Sequence, residues 1–195
     1  MNDGNRSVML VLSSPSGGGK TTISKKIQQK YQNFKISVSH TTRKPRPNEI
    51  EGVDYFFVSK EKFIQKVENN EFYEHAKIFD NFYGTSKKSV LELINKKNDI
   101  LFDIDWQGTQ QLSKYNELNL VKLFILPPDK TELKKRLIER NQDRQTVVEE
   151  RLKSYDNDIL HWSDYNFVII NDNLENCFRQ IESIIEQRKT LNITI

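Results

Sequence analysis

A short apolar run, Val8 to Leu12, gives way to turn residues and then to Ile23, Ile27 and Tyr31 at intervals of four. The run predicts a buried strand, and the interval predicts a helix over Thr21 to Tyr31 with one apolar stripe. Phe34 to Ser39 alternates apolar and polar residues, the pattern of a second strand. Two prolines in His40-Thr41-Thr42-Arg43-Lys44-Pro45-Arg46-Pro47 then impose an extended, exposed path. Asp54 to Val58 reads as a strand, and Ser59 as the cap of a helix whose stripe is Phe63, Ile64 and Val67. Short aromatic-rich strands are expected from Glu71 to Phe82, a turn at Tyr83-Gly84-Thr85, and a helix over Lys88 to Asn95. Ile100 to Asp105 is almost wholly apolar, as befits a central parallel strand covered on both faces, and Val121 to Leu126 repeats the pattern before Pro127-Pro128. Asp129 to Lys153 reads as helical and dense in charge, and Phe167 to Ile170 as the last strand. Leu174, Cys177, Phe178, Ile181, Ile184 and Ile185 mark the face of a final helix.

Between the first strand and the first helix lies Ser14-Pro15-Ser16-Gly17-Gly18-Gly19-Lys20-Thr21-Thr22. Strand, glycine turn, then Gly-Lys-Thr at a helix start is the P-loop arrangement, in which backbone N–H groups and the helix dipole face one phosphate. Lys20 would reach the outer phosphates, and the Thr21 hydroxyl would sit on Mg²⁺. The full pattern, G-x-x-x-x-G-K-[ST], wants glycine where this chain has Ser14. Strands alternating with helices around that loop predict an α/β fold, a P-loop NTPase-type parallel sheet flanked by helices. Residues 39–88 break the rhythm and read as an inserted subdomain. Residues 129–156 read as a smaller helical insertion, leaving 1–38, 89–128 and 157–195 as the core.

Composition changes this picture little. At 195 residues the chain suits one domain, with 36% hydrophobic and 29% charged residues. Its net charge of +3 favours local anion sites over a nucleic-acid surface. Cys177 stands alone, which excludes an intramolecular disulfide and a cysteine-rich metal site. No apolar run approaches the ~20 residues that cross a bilayer, and the polar first residues lack a signal-peptide core, so a cytoplasmic protein is expected.

Asp103 ends an apolar strand, where a carboxylate can hold the magnesium shell or its water. Asp105, two residues on, would share its face in a strand, and two acids there need a cation or ligand to balance them. Arg43 and Arg46 sit on the proline-stiffened loop, and guanidinium groups bind phosphate bidentately. Read alone, such a loop could equally be solvated. Tyr55, Tyr83 and Glu74 in the same insertion complete a pocket for a second nucleotide, with hydroxyls and arginines on its phosphate and Glu74 on base N–H donors. His40, His75 and His161 show no metal-ligand spacing, and no zinc is assigned.

Ser14-Pro15-Ser16-Gly17-Gly18-Gly19-Lys20-Thr21, Val38 to Arg46, Gly52-Val53-Asp54-Tyr55, Phe72-Tyr73-Glu74, Tyr83-Gly84-Thr85 and Asp103-Ile104-Asp105-Trp106-Gln107-Gly108 together resemble guanylate kinase. They occur in that family's order, and the resemblance runs from about Val8 to Lys189. It implies Mg²⁺-dependent transfer of the ATP γ-phosphoryl to GMP or dGMP, in purine nucleotide metabolism. It also implies a single domain acting as monomer or homodimer, without nucleic-acid or membrane partners.

By position, the resemblance makes Ser39, Glu74, Thr85 and Asp105 the guanine contacts, with Gly84 beside them. Arg43, Arg46, Tyr55 and Tyr83 would hold the GMP phosphate. Lys20, Arg43, Arg136, Arg140 and Arg151 would be catalytic, the last three as lid arginines. Residues 14–22 and Asn171 would bind ATP, with Thr21 and Asp103 at the metal. Asn141 stands where relatives often carry glycine. Asp172 reads equally as a cap before Leu174. A non-catalytic guanylate-kinase-like interaction module remains the alternative from another class, and an adenylate or thymidylate acceptor the alternative within it.

Overall fold

The computed structural model describes residues 7–78, 80–139 and 145–193. In chain order its elements begin β1 (Met9–Ser13), α1 (Lys20–Lys30), β2 (Phe34–Ile36), β3 (His40–Thr41), β4 (Phe56–Phe57) and α2 (Lys60–Glu68). There follow β5 (Phe72–Ile78), β6 (Asn81–Ser86), α3 (Lys87–Asn95), β7 (Asp99–Asp103), α4 (Trp106–Leu112) and β8 (Leu120–Leu126). The chain closes with α5 (Lys130–Glu139), α6 (Gln145–Asp158), β9 (Phe167–Ile170) and α7 (Leu174–Ile193).

β1 lies at the centre of a parallel sheet ordered β2-β7-β1-β8-β9. Successive side chains of a strand point to opposite faces, so β1 feeds two cores. Leu10 and Leu12 pack with Ile23 and Ile27 of α1 and Ile181 and Ile185 of α7. Met9 and Val11 pack on the other side with Val90 of α3 and Leu112 of α4. Covering on both faces explains why β1 and β7 read as continuous apolar runs. Burying each such side chain contributes about 1.5–3 kcal/mol, so this double core fixes the loop that leaves β1.

A second sheet, ordered β4-β3-β6-β5, is built within the 39–88 stretch. Its strands meet antiparallel except β3 and β4. Phe63 of α2 stacks on Phe72 and Phe82, with ring centroids 4.8 and 5.5 Å away. His40 sits between Phe56 and Phe72 at 4.8 and 5.5 Å. Burial, reinforced by the Lys66 charge, pushes its imidazole down to about 4, so it serves as a neutral aromatic filler. α5 and α6 share a small cluster of their own, Leu133, Leu137 and Val148.

Several expectations are corrected. Tyr83-Gly84-Thr85 lies inside β6 and pairs with β5, because the reversal falls earlier, before Asn81. β2 ends at Ile36, where pairing with β7 stops. Asp105 is not in the strand: β7 ends at Asp103, and Asp105 caps α4 by accepting the Gly108 N–H at 2.9 Å. That seven-residue helix was unread, its apolar pattern being too short to register. The charged stretch from 129 is helical as expected, its described residues forming α5 and α6. Arg140 and Asn141 lie outside the described residues.

Candidate active site

The turn from β1 into α1 is built by three glycines. Gly17 and Gly19 adopt φ of +94° and +106°, a left-handed backbone that favours glycine. The Gly18 N–H donates to the Pro15 carbonyl at 3.0 Å. A Cβ on Gly18 would come within 2.9 Å of Ser14 Oγ. Ser14 therefore occupies space left by Gly18, which explains how serine is accommodated where the full pattern has glycine. Asn171, buried at the end of β9, donates from Nδ2 to the Gly18 carbonyl at 3.0 Å. Thr21 and Thr22 begin α1 exposed, as an open phosphate site requires.

Gly19 is hemmed in on that side. Any Cβ there would overlap the Asn171 amide. Gly19→Ala is therefore expected to lower stability by about 2 kcal/mol and weaken ATP-analogue affinity by about tenfold. Urea denaturation and titration with a non-hydrolysable analogue check this; an unchanged midpoint and affinity would show that the loop can shift.

Lys20 Nζ stands 3.4 Å from Asp103 Oδ1 and 3.4 Å from the Ile104 carbonyl oxygen. The Ser24 hydroxyl, one turn along α1, reaches Asp103 Oδ2 at 3.5 Å. The loop lysine and the strand-end carboxylate are thus brought together. Arg136 of α5 joins them through Asn171: its Nη2 donates to the Asn171 carbonyl at 2.9 Å, while Nε pairs with Glu132 at 2.9 Å. α5 also rests on the loop, since a Cβ on Gly17 would meet Leu133 at 2.8 Å. Arg151 is half-buried on α6.

Two residues beyond Asp103, the chain turns from the phosphate loop towards a different pocket. Glu74 of β5 is buried there, and the Thr85 hydroxyl of β6 donates to its Oε1 at 2.5 Å. Gly108 lies against Glu74, where a Cβ would come 2.7 Å from Oε2. Burial, with a smaller push from the Asp105 charge, raises the Glu74 carboxyl to about 7. A buried carboxylate facing a second acid is costly without a donor ligand. Gln111 of α4 fixes the pocket by bonding the backbone of His75 in both directions, at 3.1 and 2.7 Å.

The same sheet carries the cationic side. Arg43 lies over the Tyr55 ring at 5.4 Å, and Tyr55 meets Tyr83 edge-on at 6.0 Å. Arg46 is on the same loop, and Ser39 precedes β3 with its carbonyl accepting the Phe56 N–H at 2.9 Å. Burial, aided by the Asp103 charge, pushes the Tyr55 phenol up to about 12.

The family model described as Guanylate kinase matches residues 6–188. The chain belongs to the guanylate kinase family. A guanylate kinase from Paramagnetospirillum magneticum is 46% identical over 180 residues, covering 92% of this chain and 84% of the relative. One from Rickettsia bellii is 44% identical over 189 residues, covering 96% and 98%. The crystal structure of guanylate kinase from Anaplasma phagocytophilum superposes with a TM-score of 0.78 at 36% identity, over 95% of this chain and 87% of that one. The SH3-kinase fragment of tight junction protein 3 reaches a TM-score of 0.51 at 11% identity, over 95% and 58%, a likeness of fold alone.

Within this guanylate kinase fold the sequence reading gave no site role to four contributors. Glu49 holds Arg43, Gly108 makes room for the Glu74 carboxylate, and Asp158 accepts from Trp106 Nε1 at 3.2 Å while His161 stacks on that indole at 3.6 Å. Glu49 alone left a signal, a carboxylate placed just after the Arg46-Pro47 turn.

Proposed function

We infer that this site transfers the γ-phosphoryl group of ATP to GMP or dGMP, giving ADP and GDP or dGDP. The observation that carries the reading is the end of β7: Asp103 lies against Lys20, and Asp105 lies near the buried Glu74. One strand end thus serves a triphosphate cradle and a base pocket. The core, the 39–88 insertion and the 129–156 insertion would act as ATP-binding, GMP-binding and lid units.

Guanine presents N1–H and an exocyclic amine as donors, which ionised Glu74 and Asp105 would accept, with Ser39 and Thr85 offering hydroxyls and Gly84 the strand backbone beside them. Adenine lacks the N1–H and the 2-amine and would leave a buried carboxylate unpaired, the stronger form of discrimination. Arg43, Arg46, Tyr55 and Tyr83 would hold the acceptor phosphate, and Lys20, Arg136, Arg140 and Arg151 the transferring group. Asn171 would support the ATP side. The oxygens of Thr21 and Asp103 suit magnesium, which takes few protein ligands and keeps water and phosphate as the rest. When bound, the ion supplies charge neutralisation at the phosphate oxygens. Transfer would be in line, without a covalent enzyme intermediate, and the lid would exclude water whose attack on ATP competes.

No helix among the described residues is long and apolar enough to cross a membrane. The reading is of a cytoplasmic enzyme, monomer or homodimer, working where both nucleotides are available. ADP release from ATP and magnesium with GMP, dGMP, AMP, UMP or TMP tests it. Formation that depends on GMP or dGMP and is negligible with AMP is expected. GMP binding without ADP formation from any acceptor would overturn the reading in favour of an interaction module.

A further inference from the structure

The arginine loop contains a carboxylate that phosphate binding does not require. Pro47 holds the second position of a turn, closed by the Glu49 N–H donating to the Arg46 carbonyl at 3.1 Å. The turn aims the Glu49 side chain back at both arginines. Arg43 Nη2 donates to Glu49 Oε1 and Oε2 at 2.8 and 2.9 Å, and the Arg46 backbone N–H donates to Oε2 at 2.8 Å. Arg46 Nη1 lies 4.0 Å from Oε1. The Glu49 and Arg43 side chains are only 15% and 17% exposed, so this contact is shielded from solvent. Burial opposes the Glu49 charge, yet the hydrogen bonds from Arg43 and the Arg46 amide outweigh it and hold the carboxyl below its ordinary range.

We propose that Glu49 sets the charge of the acceptor-phosphate pocket, acting through Arg43 and Arg46 as a positioning residue that limits their grip on the phosphate of the bound monophosphate. The proposal rests on the acceptor role given above to these arginines. Glu49 offsets one unit of the positive charge that the two guanidinium groups bring. A nucleoside monophosphate brings about −1.5 to −2 at pH 7. After transfer, the same phosphate is an internal group with a single ionisable oxygen, so its charge falls to about −1. Without Glu49 the pocket would favour substrate over product. It would also withdraw charge from the phosphate oxygen that attacks the γ-phosphorus. Tighter ground-state binding of this kind lowers KM without raising turnover.

Glu49→Gln tests this with little change of shape, since the amide oxygen can still accept from Arg43 or the Arg46 N–H. Expected are GMP affinity about fivefold tighter at low salt, a smaller gain for GDP, and a kcat that falls together with KM. Loss of a merely structural contact would instead weaken GMP binding and raise KM. Weaker or unchanged GMP affinity in Glu49→Gln overturns the proposal. Arg43→Ala separates the two readings: if it leaves GMP affinity intact, the acceptor assignment itself fails. If it weakens GMP while Glu49→Gln fails to tighten it, only the role of Glu49 falls.

Discussion

Lys20→Ala is expected to lower kcat by about a thousandfold while GMP affinity changes less than about twofold. The separation follows from where Lys20 stands. Its ammonium is shared between Asp103 and the Ile104 carbonyl at 3.4 Å each, on the side of β7 that the proposed function gives to the triphosphate. Glu74 and the arginine loop are assembled by other elements, β5, β6 and the turn at Pro47. Charge that develops on the transferring group would lose a fixed cation, while the base pocket keeps every contact. Rapid-quench ADP formation and calorimetric GMP titration give the two numbers. Lys20→Arg should restore little, because a planar fork does not replace a point charge at a crowded loop. Turnover within tenfold of the parent in Lys20→Ala would remove Lys20 from the chemistry.

Glu74→Gln is expected to raise KM for GMP by about a hundredfold and to narrow the preference for GMP over AMP. A glutamine offers one acceptor where a carboxylate offers two, and its NH₂ would face the guanine amine. The substitution also has a signature in the absence of nucleotide. Folding lifts this carboxyl from 4.5 to about 7. Between those values the folded state holds a proton that the unfolded chain has released, so stability falls as pH rises through the window. The full effect is about 3 kcal/mol above pH 7, and Glu74→Gln should abolish it. Guanine donors favour the ionised form, so GMP binding near pH 6 should expel a proton from Glu74. Titrations in buffers of different ionisation enthalpy measure that release, after allowing for the phosphate's own proton. If stability of the parent and of Glu74→Gln follows the same pH curve, the buried carboxyl titrates normally and the argument for its role weakens.

The central sheet was legible because β1 and β7 are covered on both faces and show it as unbroken apolar runs. The phosphate loop was legible for a similar reason: left-handed backbone at Gly17 and Gly19 favours glycine, and both positions fall in one short turn. What escaped depends on contacts distant in sequence. Tyr83-Gly84-Thr85 has the composition of a turn, and only pairing with β5 makes it a strand. Asp105 looks like a strand residue until Gly108 supplies the N–H that makes it a helix cap. Glu49 was passed over because an acid beside arginines reads as ordinary surface charge; the Pro47 turn makes it a fixed partner. Gly108 closes the Asp103-to-Gly108 motif, but its role exists only opposite Glu74.

The bond from Asn171 to Gly18 joins residues 153 positions apart. Synthesis delivers the phosphate loop long before its lateral support. β8, which flanks β1, and β9, which ends at Asn171, also emerge late. A nascent chain still missing β9 therefore exposes a glycine turn with neither Asn171 nor a completed sheet behind it. A triphosphate site of the kind proposed would therefore be complete only once Asn171 has been made, long after the loop itself.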